Sequence, residues 1–380
     1  MLASCALSLA ARPEQGGTLR EAFADDFLIG VALNGRTIEQ AESSAARLAA
    51  REFAALTAEN DMKWQHIHPA PGRYNFAAAD AYLAFAEAHG MEVIGHTLVW
   101  HSQTPDWVFT DAKGNELTRE ELLERMREHI QTVVGRYRGR IKGWDVVNEA
   151  IDDDKSGLRD TPWRRIIGDD YLDYAFRFAR EADPAAELYY NDYSLVEPGK
   201  RARTLTMLRG LIERGIPVDG VGMQGHYHLH WPKLEEVDRS IRDFASLGLK
   251  VMITELDVDV LPSRNRPGMA DIAHREEGGA AFNPYTQGLP DEVQQQLADR
   301  YAELFAVFLQ HRQSITRVTL WGLGDGESWL NNFPIPGRTN YPLLFDRALH
   351  PKPAYELVRQ AGQETLPAVG ATELKVEPVN

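Results

Sequence analysis

An eightfold alternation of two kinds of segment constrains the fold of this chain more than any other feature. Short apolar runs rich in β-branched residues, typical of buried strands, alternate with longer amphipathic stretches, typical of helices. Strands are predicted at residues 27–33, 54–58, 92–99, 141–148, 187–191, 220–226, 250–255 and 316–321. Helices are predicted at residues 38–53, 77–89, 119–136, 171–181, 200–214, 233–247, 291–311 and 353–361. Eight such units predict an α/β fold, a (β/α)8 TIM barrel, whereas a doubly wound open sheet would need a topological switch.

The periodic part of the chain is expected to form a single catalytic domain over residues 16–363. Residues 2–5 resemble the end of a bacterial lipoprotein signal, but the basic region and longer apolar core of a complete signal are missing. We interpret residues 1–15 as an N-terminal segment, either a remnant of such a signal or an artificial boundary, with lipid anchoring at Cys5 as an alternative. Residues 364–380 show little periodicity and are expected to form a C-terminal tail.

Charge and cysteine content exclude several classes of function. The net charge is −15 and the pI about 5.3, whereas nucleic acids and anionic membranes are bound by clustered lysine and arginine. Cys5 is the only cysteine, so an intrachain disulfide and a cysteine-based metal site are both excluded. No stretch reaches the roughly 18 apolar residues that a membrane span needs. We therefore expect neither a nucleic-acid partner nor a membrane span.

Two of the predicted strands lead directly into a glutamate. The strand at 141–148 is followed by Glu149, and the strand at 250–255 ends in Glu255. A buried carboxylate is costly unless it is paired or used, and an N-terminal helix cap would explain Asn148 but not Glu149. Because the carboxyl ends of barrel strands meet at one face, both carboxylates are expected in one cleft. Such a pair can provide acid/base and nucleophilic catalysis at a glycosidic bond, with Glu149 as the acid.

A supporting histidine is expected beside Glu255. Strand alternation places Glu255 and Asp257 on the same side, and His226 ends the strand that would lie next to them in the barrel. The predicted cluster has His226 hydrogen-bonded to Glu255 and oriented by Asp257, which would keep Glu255 ionised as a nucleophile requires. Asn148 is expected to hydrogen-bond a sugar hydroxyl beside Glu149.

Polar and aromatic residues also follow most of the other predicted strands. In a barrel these positions line the catalytic face, and aromatic rims suit stacking against sugar rings. The residues predicted on this basis to surround a substrate are Glu59, Asn60, Lys63, His96, Trp100, Gln103, Asn191, Tyr193, Gln224, Trp321 and Trp329.

Rival functions remain open at this point. His226, His228 and His230 alternate along one segment, and His96 and His101 add further nitrogen ligands, so a metal-dependent barrel hydrolase is one alternative. A β-1,4-glucanase on the same barrel and an inactive glycan-binding barrel are two others. We expect no metal and no cofactor, because two carboxylates suffice for glycoside hydrolysis.

The chain resembles the family-10 glycoside hydrolases, the retaining endo-β-1,4-xylanases, over roughly residues 20–362. The segments that carry the resemblance are Thr57-Ala58-Glu59-Asn60-Asp61-Met62-Lys63-Trp64, Gly95-His96-Thr97-Leu98-Val99-Trp100-His101, Trp144-Asp145-Val146-Val147-Asn148-Glu149-Ala150, Met223-Gln224-Gly225-His226 and Ile253-Thr254-Glu255-Leu256-Asp257.

The resemblance implies a (β/α)8 barrel with Glu149 as acid/base and Glu255 as nucleophile. It further implies that one set of residues holds the sugar before the scissile bond, namely Lys63, His96, Asn148, Gln224, His226 and Trp321. A second set would hold the next sugar outward, namely Glu59, Asn60, Gln103 and Trp329. The expected partners are xylan and xylo-oligosaccharides, and the expected state is an exported monomer in the periplasm, at the cell surface or outside the cell.

The segment at residues 260–290 departs from the more compact members of that family. It is long, polar and rich in glycine and proline, and long loops in compact domains are usually functional or disordered. We predict that it serves the leaving-group side of the cleft, where Asn283 and Tyr285 are candidate contacts.

Overall fold

The computed structural model describes residues 17–154, 157–264 and 268–364. Within these residues, nine strands form one parallel sheet: β1 Leu28–Leu33, β2 Ala55–Ala58, β3 Glu92–Val99, β4 Gly143–Asn148, β5 Glu187–Asp192, β6 Gly220–Met223, β7 His226–His228, β8 Lys250–Asp259 and β9 Ile315–Leu320. The hydrogen-bonded order is β6-β5-β4-β3-β2-β1-β9-β8, and β6 also pairs with β8. The sheet is therefore closed into an eight-stranded barrel, which confirms the predicted fold class.

Helices connect successive strands around the barrel. They are α1 Leu19–Ala22, α2 Gly35–Glu39, α3 Ser44–Glu52, α4 Trp64–Ile67, α5 Ala77–His89, α6 Arg119–Arg136, α7 Pro162–Ile167, α8 Tyr171–Ala182, α9 Pro198–Glu213, α10 Leu234–Ala245, α11 Asp291–Gln310 and α12 Pro353–Gln363. Side chains from the strands and from the inner faces of the helices form a shared apolar core. Among the described residues, none of these helices has both the length and the apolar character needed to cross a bilayer.

Two predicted elements are divided in the structure. The helix predicted at residues 38–53 is two helices, α2 and α3, and Ser43 caps the second by accepting a hydrogen bond from the Ala46 amide at 3.1 Å. The strand predicted at 220–226 is interrupted at Gln224 and Gly225, where Gly225 has φ +88°. The interruption leaves β7 to pair with the second half of β8, so that His226 lies opposite Asp257.

The structure describes most of the predicted loop but almost none of the two predicted terminal segments. Residues 260–290 contain one short 3-10 helix, Ala280–Phe282, and otherwise no regular element among their described residues. The N-terminal segment 1–15, including Cys5, lies outside the described residues, as does all of the predicted tail except Glu364. Trp321, expected to end the last strand, follows β9 directly.

Gly95 in β3 shows how closely the barrel is packed. A Cβ at this position would overlap the indole ring of Trp144 on the neighbouring strand, and Trp144 is fully buried. The two residues are register partners in the β3–β4 pair. Only a residue without a side chain allows that indole to lie flat across the strand.

We expect Gly95→Ala to lower the free energy of unfolding by about 3 kcal/mol or more, because a rigid buried ring cannot yield to the added methyl group. The matched control is Gly135→Ala on α6, where a Cβ would meet no atom within 4 Å. There, stability should be unchanged or higher by up to about 1 kcal/mol, since alanine is the better helix former. Urea unfolding followed by fluorescence measures both changes, and equal stability of Gly95→Ala and the parent would contradict the packing argument.

Candidate active site

A cavity of about 450 Å³ at the carboxyl ends of the strands is lined mainly by polar and aromatic side chains. Most of the residues predicted to surround a substrate line it: Glu59, Asn60, Lys63, His96, Trp100, Gln103, Asn148, Gln224, His226, Trp321 and Trp329. Glu149 and Glu255 line the same cavity, and only 4% and 5% of their surfaces are exposed.

Glu149 lies one residue beyond β4 and is surrounded by neutral donors. Its Oε1 accepts hydrogen bonds from Gln224 Nε2 at 3.0 Å and Asn148 Nδ2 at 3.2 Å, and its Oε2 accepts one from Trp100 Nε1 at 2.9 Å. Burial raises the pKa of Glu149 to about 7, and the negative charges of Asp192 and Glu255 act in the same direction. This carboxyl group is therefore protonated in a substantial fraction of molecules at neutral pH.

Glu255 lies within β8 and has a different environment. His226 Nε2 lies 3.2 Å from its Oε2, and Asn191 Nδ2 donates to its Oε1 at 2.8 Å. Burial by itself would raise the pKa of Glu255, but the hydrogen bond from His226 and the positive charges of His96 and His226 outweigh it and lower that pKa. Glu255 is accordingly ionised under conditions in which Glu149 still holds a proton.

Asp257 lies behind His226 and does not line the main cavity. Its Oδ1 is 3.0 Å from His226 Nδ1, and its Oδ2 accepts a hydrogen bond from Trp329 Nε1 at 2.8 Å. Burial alone would lower the pKa of His226, but the Asp257 carboxylate outweighs it and raises that pKa to about 10. The imidazolium therefore carries its charge between two carboxylates, and one carboxylate orients both the histidine and a wall tryptophan.

Two buried amides connect the glutamates. Asn191 Nδ2 donates to both Asn148 Oδ1 and Glu255 Oε1 at 2.8 Å, and Asn148 donates in turn to Glu149. Thr254 fixes the orientation of the Asn191 amide by donating to its Oδ1 at 2.6 Å. The positions of the two carboxyl groups are thus linked through a chain of neutral hydrogen bonds.

One wall of the cavity is polar. Lys63 Nζ donates to Asn60 Oδ1 at 3.0 Å and to Gln103 Oε1 at 2.8 Å, and it lies 5.1 Å from the Trp100 ring centroid. Burial lowers the pKa of Lys63, and the surrounding carboxylates oppose that shift. Glu59 lies on the same wall, and burial raises its pKa. This wall presents amide, ammonium and carboxyl groups suited to hydroxyl-rich ligands.

Another part of the cavity lining is aromatic. Trp321 lies edge-on to both His96 and His226, with ring centroids 5.4 and 6.4 Å apart. Trp329 stacks on Phe333 at 4.4 Å, and the guanidinium of Arg275 lies 5.5 Å from the Phe333 ring. Flat apolar surface beside hydrogen-bonding groups is a common arrangement for binding sugar rings.

Two residues predicted to contact substrate do not line this cavity. Asn191 is fully buried and donates to Asn148 and Glu255, and Tyr193 is 1% exposed, with its hydroxyl bonded to Arg159 and Asp153. Asn283 and Tyr285, the candidate contacts in the 260–290 segment, also lie elsewhere. The Asn283 side chain accepts from the Thr339 amide, and the Tyr285 carbonyl accepts from the Tyr341 hydroxyl.

Sequence reasoning missed several residues of the site. Asp145, which sits inside one of the motifs, lies 2.9 Å from His96 Nδ1 and orients that ring. The residues that line the cavity without having been predicted are Ala270, Ile272, Arg275, Glu327, Ser328, Asn332 and Phe333. Three of them come from the 260–290 segment, for which the only signal was its length and composition.

The histidines considered as metal ligands are dispersed. His96 and His226 are each held by an aspartate, and burial lowers the pKa of His101 to about 4. Across residues 17–154, 157–264 and 268–364, no group of three or more histidine, cysteine, aspartate and glutamate side chains has an arrangement that could hold a metal ion.

Comparison with known proteins places the chain among glycosidases. The family described as glycosyl hydrolase family 10 matches residues 18–361. Endo-1,4-beta-xylanase A of Xylanibacter ruminicola is 44% identical over 347 residues, which cover 91% of this chain and 94% of that protein. The endo-1,4-beta-xylanase of Geobacillus stearothermophilus is also 44% identical, over 89% of this chain and 96% of its own length. A solved GH10 endoxylanase from a sugarcane soil metagenome superimposes with a TM-score of 0.88 at 45% identity, covering 90% of this chain and 99% of the other.

We expect the pKa of Glu149 to fall below its value of about 7 in the Glu255→Gln variant, because a nearby negative charge that favours the protonated form has been removed. Titration of the side-chain carboxyl carbons by 13C NMR measures the shift. Asp80→Asn is the control, since Asp80 pairs with Arg136 on the helical shell. An unchanged Glu149 pKa in Glu255→Gln would contradict electrostatic contact between the two carboxyl groups.

Proposed function

The chain belongs to glycosyl hydrolase family 10, and from this premise we propose that it is a retaining endo-β-1,4-xylanase in which Glu149 is the acid/base and Glu255 the nucleophile. The observation that carries the proposal is the contrast between two buried carboxyl groups in one cavity. The pKa of Glu149 is raised to about 7, whereas the pKa of Glu255 is lowered. A retaining glycosidase needs this division into a proton donor and an ionised nucleophile.

In the first step, Glu255 attacks the anomeric carbon of the sugar that lies before the scissile bond. The bond from that carbon to the leaving oxygen breaks, and the proton of Glu149 passes to the leaving oxygen. His226 helps to keep Glu255 ionised before the attack, and Asn191 holds its other oxygen in a fixed direction. The product is a covalent glycosyl-enzyme together with a shortened chain.

In the second step, Glu149 acts as a base. Its carboxylate takes a proton from water while the water oxygen attacks the anomeric carbon, and the bond to Glu255 breaks. Two inversions at the same carbon leave its configuration retained. The hydrogen bonds from Gln224, Asn148 and Trp100 stabilise the charged state that Glu149 adopts between the two steps.

The cavity walls supply the contacts that such a polymer needs. We propose that Lys63, His96, Trp321 and their neighbours hold the sugar before the scissile bond. Glu59, Asn60, Gln103 and Trp329 would hold the next sugar outward. Asn191 supports the catalytic groups from below instead of touching substrate, because its amide is fully committed to Asn148, Thr254 and Glu255.

The substrate also bears on cellular location and assembly. A polysaccharide does not cross membranes, so we propose that the protein is exported. We further propose that it acts on xylan and xylo-oligosaccharides as a monomer. The net charge of −15 supports the absence of a nucleic-acid partner. The proposed catalytic domain is residues 16–363, which contains the whole segment matched by the family.

We expect an aryl β-xylobioside to be cleaved with a kcat/KM about 10- to 100-fold higher than the matching aryl β-cellobioside. Glucose carries an extra hydroxymethyl group, and the rings of Trp321 and Trp329 would crowd it, a discrimination typically worth about 1–3 kcal/mol. Trp329→Ala should reduce the difference in kcat/KM between the two glycosides. Equal kcat/KM values for the two glycosides in the parent enzyme would favour the glucanase alternative. Internal cleavage is tested separately, by a rapid fall in the viscosity of a xylan solution.

Azide distinguishes the roles of the two glutamates. In Glu149→Ala, azide should attack the glycosyl-enzyme and give a β-glycosyl azide from a dinitrophenyl xylobioside, whose leaving group needs no proton. In Glu255→Ala, azide should attack the substrate directly and give the α-glycosyl azide. NMR identifies the anomer. The reverse pairing of products would exchange the two assignments, and full activity in both variants would mean that catalysis occurs elsewhere.

A further inference from the structure

A buried cluster of charges contacts Glu149, and none of its residues lines the cavity. We call it the Lys200 cluster; it comprises Asp153, Arg159, Asp192, Tyr193 and Lys200. Lys200 on α9 has a side chain with no exposed surface, and its Nζ lies 2.8 Å from carboxylate oxygens of both Asp153 and Asp192. The same ammonium lies 3.6 Å from the ring centroid of Tyr193. One cation thus pairs with two carboxylates beside the proposed proton donor.

Arg159 joins this cluster to Glu149 itself. Its Nε donates to the backbone carbonyl of Glu149 at 3.3 Å, and its Nη2 donates to the Tyr193 hydroxyl at 2.9 Å and lies 3.2 Å from Asp153 Oδ2. The Arg159 amide donates to the Ala150 carbonyl at 2.7 Å. The backbone of Arg159 is therefore held beside the end of β4, close to the carbonyl that its guanidinium contacts. The fork of an arginine is suited to holding several acceptors in a fixed geometry.

The backbone of Glu149 needs such support. Its φ is +56°, in the left-handed region that residues other than glycine rarely adopt without help from their surroundings. The Glu149 amide donates to the Asn191 carbonyl at 2.9 Å, and the next two amides, of Ala150 and Ile151, donate to the Tyr190 hydroxyl. Arg159 completes this set by holding the Glu149 carbonyl.

Arg159 also reaches the segment at residues 260–290. Its Nη1 lies 3.5 Å from Asp271 Oδ2, and the residues on either side of Asp271, Ala270 and Ile272, line the cavity. The Ser194 hydroxyl anchors the same segment by donating to the Gly268 carbonyl at 2.7 Å. One guanidinium therefore contacts both the backbone of Glu149 and a part of the cavity wall.

We propose that Arg159 is a positioning residue for proton transfer by Glu149, and that through Asp271 it couples the cavity-lining segment 268–275 to that position. The inference rests on the proposed role of Glu149 as acid/base. Without the guanidinium, the left-handed backbone loses a hydrogen bond and the carboxyl group shifts relative to the leaving oxygen. Steps that need the proton then slow, whereas attack by Glu255 on a bond with a good leaving group does not.

The test compares kcat/KM for two xylobiosides that differ only in leaving group. This constant reports the first step, in which phenyl β-xylobioside needs protonation and 2,4-dinitrophenyl β-xylobioside does not. Arg159→Met should lower kcat/KM on the phenyl substrate on the order of 100-fold, the size expected for a misplaced catalytic group. On the dinitrophenyl substrate the value should stay within about threefold, because general acid catalysis contributes little there.

Two further variants keep the test decisive if Arg159→Met fails to fold. Arg159→Lys retains the charge but loses the fork, and it should recover part of the loss on the phenyl substrate. Asp271→Asn weakens the contact between the segment and Arg159, and it should lower kcat/KM on the phenyl substrate by about 3- to 10-fold, a fraction of the cost of misplacing the acid itself. Equal losses on both substrates in these variants, or no loss on either, would overturn the proposal.

Matched controls separate this inference from general damage and from the proposed function. Arg180 is another partly buried arginine that holds backbone carbonyls, those of Pro184 and Ala186, together with the carboxylate of Asp219. Arg180 lies at the amino ends of β5 and β6, so Arg180→Met should leave kcat/KM unchanged on both substrates. If Arg180→Met lowered kcat/KM on the phenyl substrate alone, loss of any such arginine would have the same effect. That result would overturn the assignment to Arg159. Glu149→Ala in the same assay tests the acid directly: equal losses on both substrates there would refute the role of Glu149 before that of Arg159.

Discussion

Burial is the constraint on which this site depends. Both Glu149 and Glu255 are almost completely buried, and burial by itself raises the pKa of each carboxyl group and so favours its neutral form. The difference between them comes from their neighbours. Glu149 receives hydrogen bonds from an indole and two amides, all neutral, whereas Glu255 faces an imidazolium whose own charge is supported by Asp257. One low-dielectric cavity therefore holds two glutamates whose pKa values are shifted in opposite directions, as the proposed acid and nucleophile require.

The barrel supplies these neighbours because its strand ends converge. Asn148 and Asn191 are register partners on β4 and β5, and their amides meet above the sheet. His226 and Asp257 are partners on β7 and β8. β7 is separated from β6 by Gln224 and Gly225, and this interruption allows it to pair with the second half of β8. The same break leaves Gln224 free to reach Glu149. These contacts join different strands or the residues that directly follow them, so closure of the sheet is a precondition of the site's electrostatics.

Much of this arrangement could be predicted from the sequence, because strand alternation and barrel closure are simple rules. The eight strands, the meeting of Glu149 with Glu255 and the position of His226 between Glu255 and Asp257 follow from them. Those rules do not say how deep a strand-end side chain lies. The sequence predicts Asn191 and Tyr193 as substrate contacts, whereas the structure buries both side chains. Arg159 follows an irregular segment, and its approach to Glu149 depends on tertiary contacts that no periodicity encodes.

The two glutamates are also held by different kinds of structure. Glu255 lies inside β8, and its amide donates to the Gln224 carbonyl at 2.7 Å. Glu149 lies just past β4 in a left-handed conformation, and contacts from β5 and from the segment after β4 fix its backbone instead. A nucleophile must reach one carbon along one direction, which a strand provides. The proposed proton donor must lie within hydrogen-bonding reach of the leaving oxygen, and the contacts that hold the Glu149 backbone fix that position.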